Sequence, residues 1–150
     1  MDLFIQLAIG SVMIGVTVAL HAFALDRIIR HAKFAEEALK RVIKPLWRPI
    51  MAALVVVTVF VVNVVHMWLW AFLYMGYGCQ SLDSLSDALY FSTVTYTTLG
   101  SADGAHLGAS CHMLTGVEGA NGFLLFGWTT AFIFEIISQI YYREIKRLAD

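Results

Sequence analysis

The chain has 150 residues, of which 59% are hydrophobic and only 14% charged, with a net charge of −1. Soluble domains carry about 25% charged residues, so the composition excludes a soluble globular protein and points to a one-domain integral membrane protein. Total charge this close to zero says nothing about partners, and a nucleic-acid partner is not expected; the distribution of charge carries the information instead.

Seven of the ten Lys and Arg residues lie from Arg27 to Arg48, and the other three are Arg143, Lys146 and Arg147. The positive-inside rule places both basic segments in the cytoplasm, so an even number of crossings must separate them. A helix out, a loop that dips in without crossing, and a helix back satisfy that count, and leave the N-terminus outside. The expected location is the inner (plasma) membrane.

Residues 3–25 carry no charged side chain and are long enough for one span. Asp2 stands where a signal peptide would have basic residues, so a signal peptide is not expected. His21 near the inner end reads as a histidine bonded to a neighbouring helix or to water. In the linker 26–48, Ile28, Ala32, Ala35, Leu39, Val42 and Leu46 recur at steps of four and three, one apolar stripe on a helix. That predicts a separate amphipathic helix, either on the cytoplasmic leaflet with anionic lipid as partner at residues 27–48, or packed beneath the bundle. Pro45 and Pro49 should end it and restart the chain. Residues 1–48 therefore form an N-terminal part and 49–150 the main unit.

The second span is predicted over Ile50–Tyr74. Asn63 and His66 share one face and should meet another helix, with pH sensing as the alternative role for the pair. Trp68, Trp70, Tyr74 and Tyr77 mark an outer aromatic belt. The loop 76–87 contains Asp83 and Asp87, and Asp103 lies further on with no basic residue to offset them. Cys79 and Cys111, the two cysteines, both fall outside; a disulfide and two free thiols both remain open at this point.

Residues 88–103 read Ala-Leu-Tyr-Phe-Ser-Thr-Val-Thr-Tyr-Thr-Thr-Leu-Gly-Ser-Ala-Asp. The stretch is too short and too rich in hydroxyls to cross a membrane. Asp87–Tyr96 should form about three helical turns, with Ser86 or Asp87 as N-cap. Thr97–Asp103 should then run as irregular backbone, which membrane depth tolerates only where protein buries it or water lines it. A half-length helix and such a strand between two spans form a re-entrant loop.

This stretch resembles the pore helix and selectivity filter of tetrameric potassium channels, whose usual filter reads Thr-x-Gly-Tyr-Gly-Asp. It matches at Thr97, Thr98, Gly100 and Asp103, and departs at Ser101, where the family has Tyr, and at Ala102, where it has Gly. More of the chain resembles small bacterial ion-channel proteins with the motif Tyr-Phe-Ser-x-Val-Thr-Tyr-Thr-Thr-Leu-Gly. Those continue with a last helix similar to Glu118–Trp128. The likeness covers residues 50–138 well and 1–49 loosely.

The resemblance implies an all-α membrane protein with three transmembrane helices, a re-entrant pore helix and a filter loop, assembled as a homotetramer around one pore. It implies a passive cation channel with K+ or Na+ as the permeant ion and no cofactor. The ion would sit at Thr98, Leu99 and Gly100, with Ser101 and Ala102 completing the filter. The departures at those last two positions imply weakened potassium selectivity, or a non-conducting structural or regulatory subunit. Four copies would turn Asp83, Asp87 and Asp103 into rings that concentrate cations. Inward-rectifier potassium channels have a bridge around the pore loop similar to a Cys79–Cys111 disulfide.

The last span should begin after the outer loop 104–110 and continue to about Tyr142. By alignment with the family, Gly122 falls at the gating hinge, and Phe123, Phe126 and Thr130 on the face lining the inner cavity; close helix packing at Gly122 stays open beside the hinge. Glu118 is an ionisable group among apolar neighbours, and needs a partner. It reads as a buttress behind the filter, bonded to the loop or to a Thr or Tyr hydroxyl, with Asn121 and Thr95 in the same support. His21, His31, His66, His106 and His112 show no metal-binding spacing, and no Ser or Cys nucleophile has an evident base, so an enzyme is not expected.

Overall fold

The computed structural model describes residues 3–77, 79, 82, 84–100 and 111–149, with side chains described as far as Tyr142. Four α-helices follow in order: α1 (Leu3–Val42), α2 (Trp47–Gly76), α3 (Leu85–Tyr96) and α4 (His112–Ala149). Three of them, α1, α2 and α4, are long and apolar enough to cross a membrane. The short α3 lies between α2 and α4 and packs against both, while α1 packs against α2 and α4.

The largest difference from the expected boundaries is in α1, while α4 also runs on past the expected Tyr142 to Ala149. The first span and the basic linker are not two helices but one continuous α1 of 40 residues. Residues 16–44 contain neither Gly nor Pro, so nothing breaks the helix where charge begins. Asp26 with Arg30 at 2.8 Å, and Glu36 with Lys40 at 2.5 Å, add support one turn apart on the polar side. The place where a helix leaves the bilayer is a change of solvent, not a helix end. The apolar stripe is also shorter than predicted. Ile28, Ala32, Ala35 and Leu39 pack against the inner cluster, but Val42 is 80% exposed and Leu46 is exposed too. Pro45 does fall in the short turn between α1 and α2, and Pro49 sits in the first turn of α2, where no amide donor is required.

Two apolar clusters hold the bundle. The inner one joins Leu25 of α1, Trp47, Met51, Val55 and Val59 of α2, and Ile140 of α4. Lys40 lies over the Trp47 ring at 4.4 Å, so the ring buries one face and serves a cation with the other. The outer cluster joins Met67, Trp70 and Tyr74 of α2, Phe91 and Tyr96 of α3, and Leu114 and Leu125 of α4. Its end is closed by a disulfide between Cys79 and Cys111, whose Cα atoms are 6.1 Å apart. Between the clusters, on α1, α2 and α4 alike, the buried positions turn polar: Thr17 and His21, Asn63 and His66, Asn121 and Thr129. The remaining faces, with Val57, Phe60, Val61 and Phe72 exposed, are suited to lipid or to another copy of the chain.

Candidate functional site

The site is built on α3. Ser84 caps its first turn by accepting the Asp87 amide at 3.1 Å and donating its hydroxyl to the Asp87 carboxylate at 2.7 Å. The helix therefore begins two residues before the predicted Asp87, and Ser84, not Ser86 or Asp87, is the N-cap. Asp87 is exposed at this end, but its carboxylate is engaged in the cap rather than standing alone. Asp83 and Asp103, predicted to share the mouth with it, lie outside the described residues.

The buried face of α3 carries Ala88, Phe91, Ser92, Thr95 and Tyr96, a helical stripe that mixes apolar groups with hydroxyls. Each hydroxyl that meets a polar partner does so on a different helix. Ser92 lies 2.5 Å from Glu118 Oε1 and 2.8 Å from the Met67 carbonyl oxygen. Glu118 has no accessible surface, and its Oε2 accepts the Tyr74 hydroxyl at 2.6 Å. The carboxyl of α4 thus ties together α2 and α3. Asn121 does not belong to this group. It is turned about 60° around α4 from Glu118, and pairs with Thr17 of α1 at 2.9 Å. Thr95 contributes backbone, its carbonyl accepting the Thr98 amide at 3.0 Å.

Tyr96, the last residue of α3, has no accessible surface. Its hydroxyl donates to Asn63 Oδ1 at 3.2 Å and lies 3.2 Å from His66 Nδ1. Its ring meets Phe126 edge-on, centroids 5.4 Å apart. Phe126 is therefore half-buried behind the site, whereas Phe123 and Thr130 are exposed; the three do not share one environment. Gly122 lies against the Tyr96 carbonyl so closely that a Cβ there would overlap its oxygen. The glycine is explained by this close approach of α4 to the end of α3. No hinge is needed to account for it.

Beyond Tyr96 the chain leaves the helix by a specific route. The Leu99 amide donates to the Val94 carbonyl at 3.1 Å, and the Thr98 amide to the Thr95 carbonyl at 3.0 Å. These two crossed bonds are the Schellman arrangement, which requires a left-handed residue at Thr98. Thr98 has φ 59°. Glycine usually fills that place; a β-branched residue pays about 1–2 kcal/mol for it. Gly100 follows with φ 72°. Thr98, Leu99 and Gly100 are all exposed on the single chain, Leu99 to 79%. Strained backbone that emerges from a fully packed helix end, and is then left uncovered, is the mark of a functional segment. Ser101 and Ala102 lie outside the described residues.

The family model described as Ion channel matches residues 49–139, more than half of the chain. The chain belongs to the ion-channel family. No curated protein and no solved structure matches it. As an ion-channel chain, it is an all-helical membrane protein, and α2, α3 and most of α4 make up the family's domain. Helix α1 falls outside that domain, yet it reaches into it through Thr17 and through His21, which lies 3.4 Å from Thr129.

Sequence reasoning singled out Glu118, Asn121, Asn63 and His66, but did not name their partners Ser92 and Tyr74, Thr17, Tyr96 and Thr129. Spacing held some signal. Thr17 and His21 are four apart on α1, and Ser92 and Tyr96 four apart on α3, so each pair shares a face. Serine and threonine are common enough in membrane helices, where they bond their own backbone, that this signal does not stand out.

Proposed function

We propose that the chain is a passive cation channel of the potassium-channel type, conducting through a pore built by four copies. The observation that carries this reading is the segment Thr98–Gly100: backbone left uncovered at the end of a short buried helix, in a chain of the ion-channel family. One chain supplies one such segment, and a ring of four would bring the Thr98, Leu99 and Gly100 carbonyls and the Thr98 hydroxyl around one axis. Oxygen atoms there would replace water around a dehydrated K+ or Na+. No cofactor takes part. Asp87, with Asp83 and Asp103, would hold cations at the mouth.

Selectivity is weakened in this reading. At Ala102, where the family has glycine, a side chain opposes left-handed backbone four times around the ring, at about 1–2 kcal/mol each. Ser101 lacks the aromatic ring that braces the family's filter. The basic end of α1 lies on the cytoplasmic side of the inner membrane, with the N-terminus outside and the C-terminus inside. Anionic lipid is its partner over residues 27–48. A groove of about 370 Å³ between α1 and α2, lined by Arg27, His31, Met51, Leu54, Val55 and Thr58, suits an acyl chain beneath an acidic headgroup.

The test is ion flux in liposomes under potassium and sodium gradients, with native mass spectrometry of the same preparation. A tetramer that passes both ions and excludes anions is expected, and Ser101→Tyr/Ala102→Gly should prefer potassium more strongly. A stable monomer or trimer rejects the channel. A tetramer that passes nothing leaves a structural or regulatory subunit, and strong potassium selectivity in the parent rejects the argument from Ser101 and Ala102.

A further inference from the structure

The polar layer between the two apolar clusters has a direction that follows from counting protons. The Asn63 amide nitrogen faces the Val59 carbonyl at 3.0 Å, which can only accept, so the other side-chain atom is the oxygen. That oxygen takes the single proton of the Tyr96 hydroxyl at 3.2 Å. With its proton spent, Tyr96 can only accept from His66, so Nδ1 of His66 carries hydrogen. The second Asn63 amide proton goes to Thr129 Oγ1 at 3.2 Å. Among the bonds of the described residues the Thr129 proton has no acceptor besides His21 Nε2 at 3.4 Å, so that nitrogen is taken as bare and His21 carries its hydrogen on Nδ1. The chain of bonds is thereby left with one donor, His21 Nδ1–H, and one acceptor, His66 Nε2. Both atoms are buried and without a partner, in two residues with no accessible surface. Their rings are neighbours, with centroids 5.4 Å apart, and the Trp128 ring stands 5.3 Å from His21.

We propose that His21 and His66 bind one buried water molecule, which accepts from His21 Nδ1–H and donates to His66 Nε2. That water closes a ring of hydrogen bonds, His21 to water to His66 to Tyr96 to Asn63 to Thr129 and back, linking all four helices. Buried waters sit where otherwise unsatisfied polar groups converge, and this place offers one of each kind. The ring ends on Tyr96, two residues before Thr98, so it holds the base of the uncovered segment. Helix α1, which lies outside the family's domain, enters the site through it. His21 and His66 are positioning residues; neither touches the ion.

Two imidazole nitrogens of the ring are without hydrogen: His21 Nε2, which takes the Thr129 hydroxyl, and His66 Nε2, which meets only the water and is the one that takes an added proton. A proton there turns the acceptor into a donor, leaves the water nothing to donate to, and places a charge opposite His21. The titratable groups facing the pair are His21 from α1 and Tyr96 from α3; on α4, Glu118 is held by Tyr74 and Ser92. Asp26, further along α1, is engaged by Arg30. No carboxylate among the described residues touches either ring, so the charge is met by none and the ring opens.

The first experiment uses the parent protein with 15N-labelled histidine in lipid at neutral pH. Nuclear magnetic resonance should show both His21 and His66 protonated at Nδ1 and bare at Nε2, with a cross-peak between His21 Nδ1–H and water. An Nε2–H tautomer at either residue, or no contact with water, overturns the proposal. The second rests on the channel reading and measures flux from about pH 8 down to about pH 4, a range that takes in histidine switching with no charge to meet the added proton. Parent flux should fall roughly tenfold or more, the size that one lost buried hydrogen bond implies. His66→Asn, whose amide can still donate to Tyr96 but takes up no proton in this range, should lose that fall, read as its own flux in acid relative to its own flux at about pH 8. An unchanged acid response in His66→Asn overturns the coupling. A protein that shows the predicted tautomers and passes no ion keeps the ring and rejects the channel.

Discussion

Replacing Glu118 by leucine removes the acceptor on which α2 and α3 meet α4. In the parent, Glu118 Oε2 takes the Tyr74 proton at 2.6 Å and Oε1 stands 2.5 Å from Ser92. The two hydroxyls suffer differently. Ser92 retains the Met67 carbonyl at 2.8 Å, so its proton still has an acceptor. Tyr74 is fully buried and loses the carboxylate that takes its proton. Thr115 still meets the Tyr74 hydroxyl, so the cost is that of one strong buried bond, about 1–3 kcal/mol per protomer. Thermal and denaturant unfolding in mild detergent should show that loss for Glu118→Leu. Glu118→Gln, which retains an acceptor oxygen for Tyr74, should lose less. Tyr74→Phe removes the donor itself, so the double variant Tyr74→Phe/Glu118→Leu should be more stable than the sum of the single losses predicts, by about 1 kcal/mol or more. If Glu118→Leu unfolds with the parent, or if the two losses simply add, the carboxyl does not join these helices and the reasoning fails.

Three further predictions concern the frame around this carboxyl. Gly122→Ala places a methyl on the Tyr96 carbonyl oxygen and should destabilise the fold by about 1–3 kcal/mol, seen in the same unfolding assay; a neutral result would mean that α4 stands further from α3. Reduction of Cys79–Cys111, which closes a stretch of 32 residues, should cost about 2–4 kcal/mol, and parent-like unfolding of a Cys79→Ser/Cys111→Ser variant would show that the bridge adds nothing. Single cysteines introduced at Lys40 and at Ser84, in that bridge-free background, should react with membrane-impermeant reagents from opposite sides of the membrane; labelling from one side contradicts the charge-based orientation.

The membrane class, the three spans and the short helix between the second and third all follow from runs of apolar residues and from where the charged residues fall. These are local quantities, and a bilayer reads them locally. The Thr-Thr-Leu-Gly segment is legible for the same reason, since its motif is contiguous from Thr97 to Gly100. The end of a helix is less legible, because helix α1 runs on through Asp26 into its charged half without a breaker to stop it. What only the tertiary structure decided is which buried polar groups meet. Glu118 needed a partner by its cost alone, but Tyr74 and Ser92 stand 44 and 26 residues away in the chain. Asn121 finds Thr17 across 104 residues rather than joining Glu118 three positions before it. A hydrogen bond requires partners within about 3 Å at a set angle, and across helices that depends on the rotation of each helix about its axis, which apolar spacing sets only coarsely. Gly122 shows the same limit. Its glycine is visible in the sequence, but the Tyr96 carbonyl that demands it comes into view only when α3 and α4 are packed together.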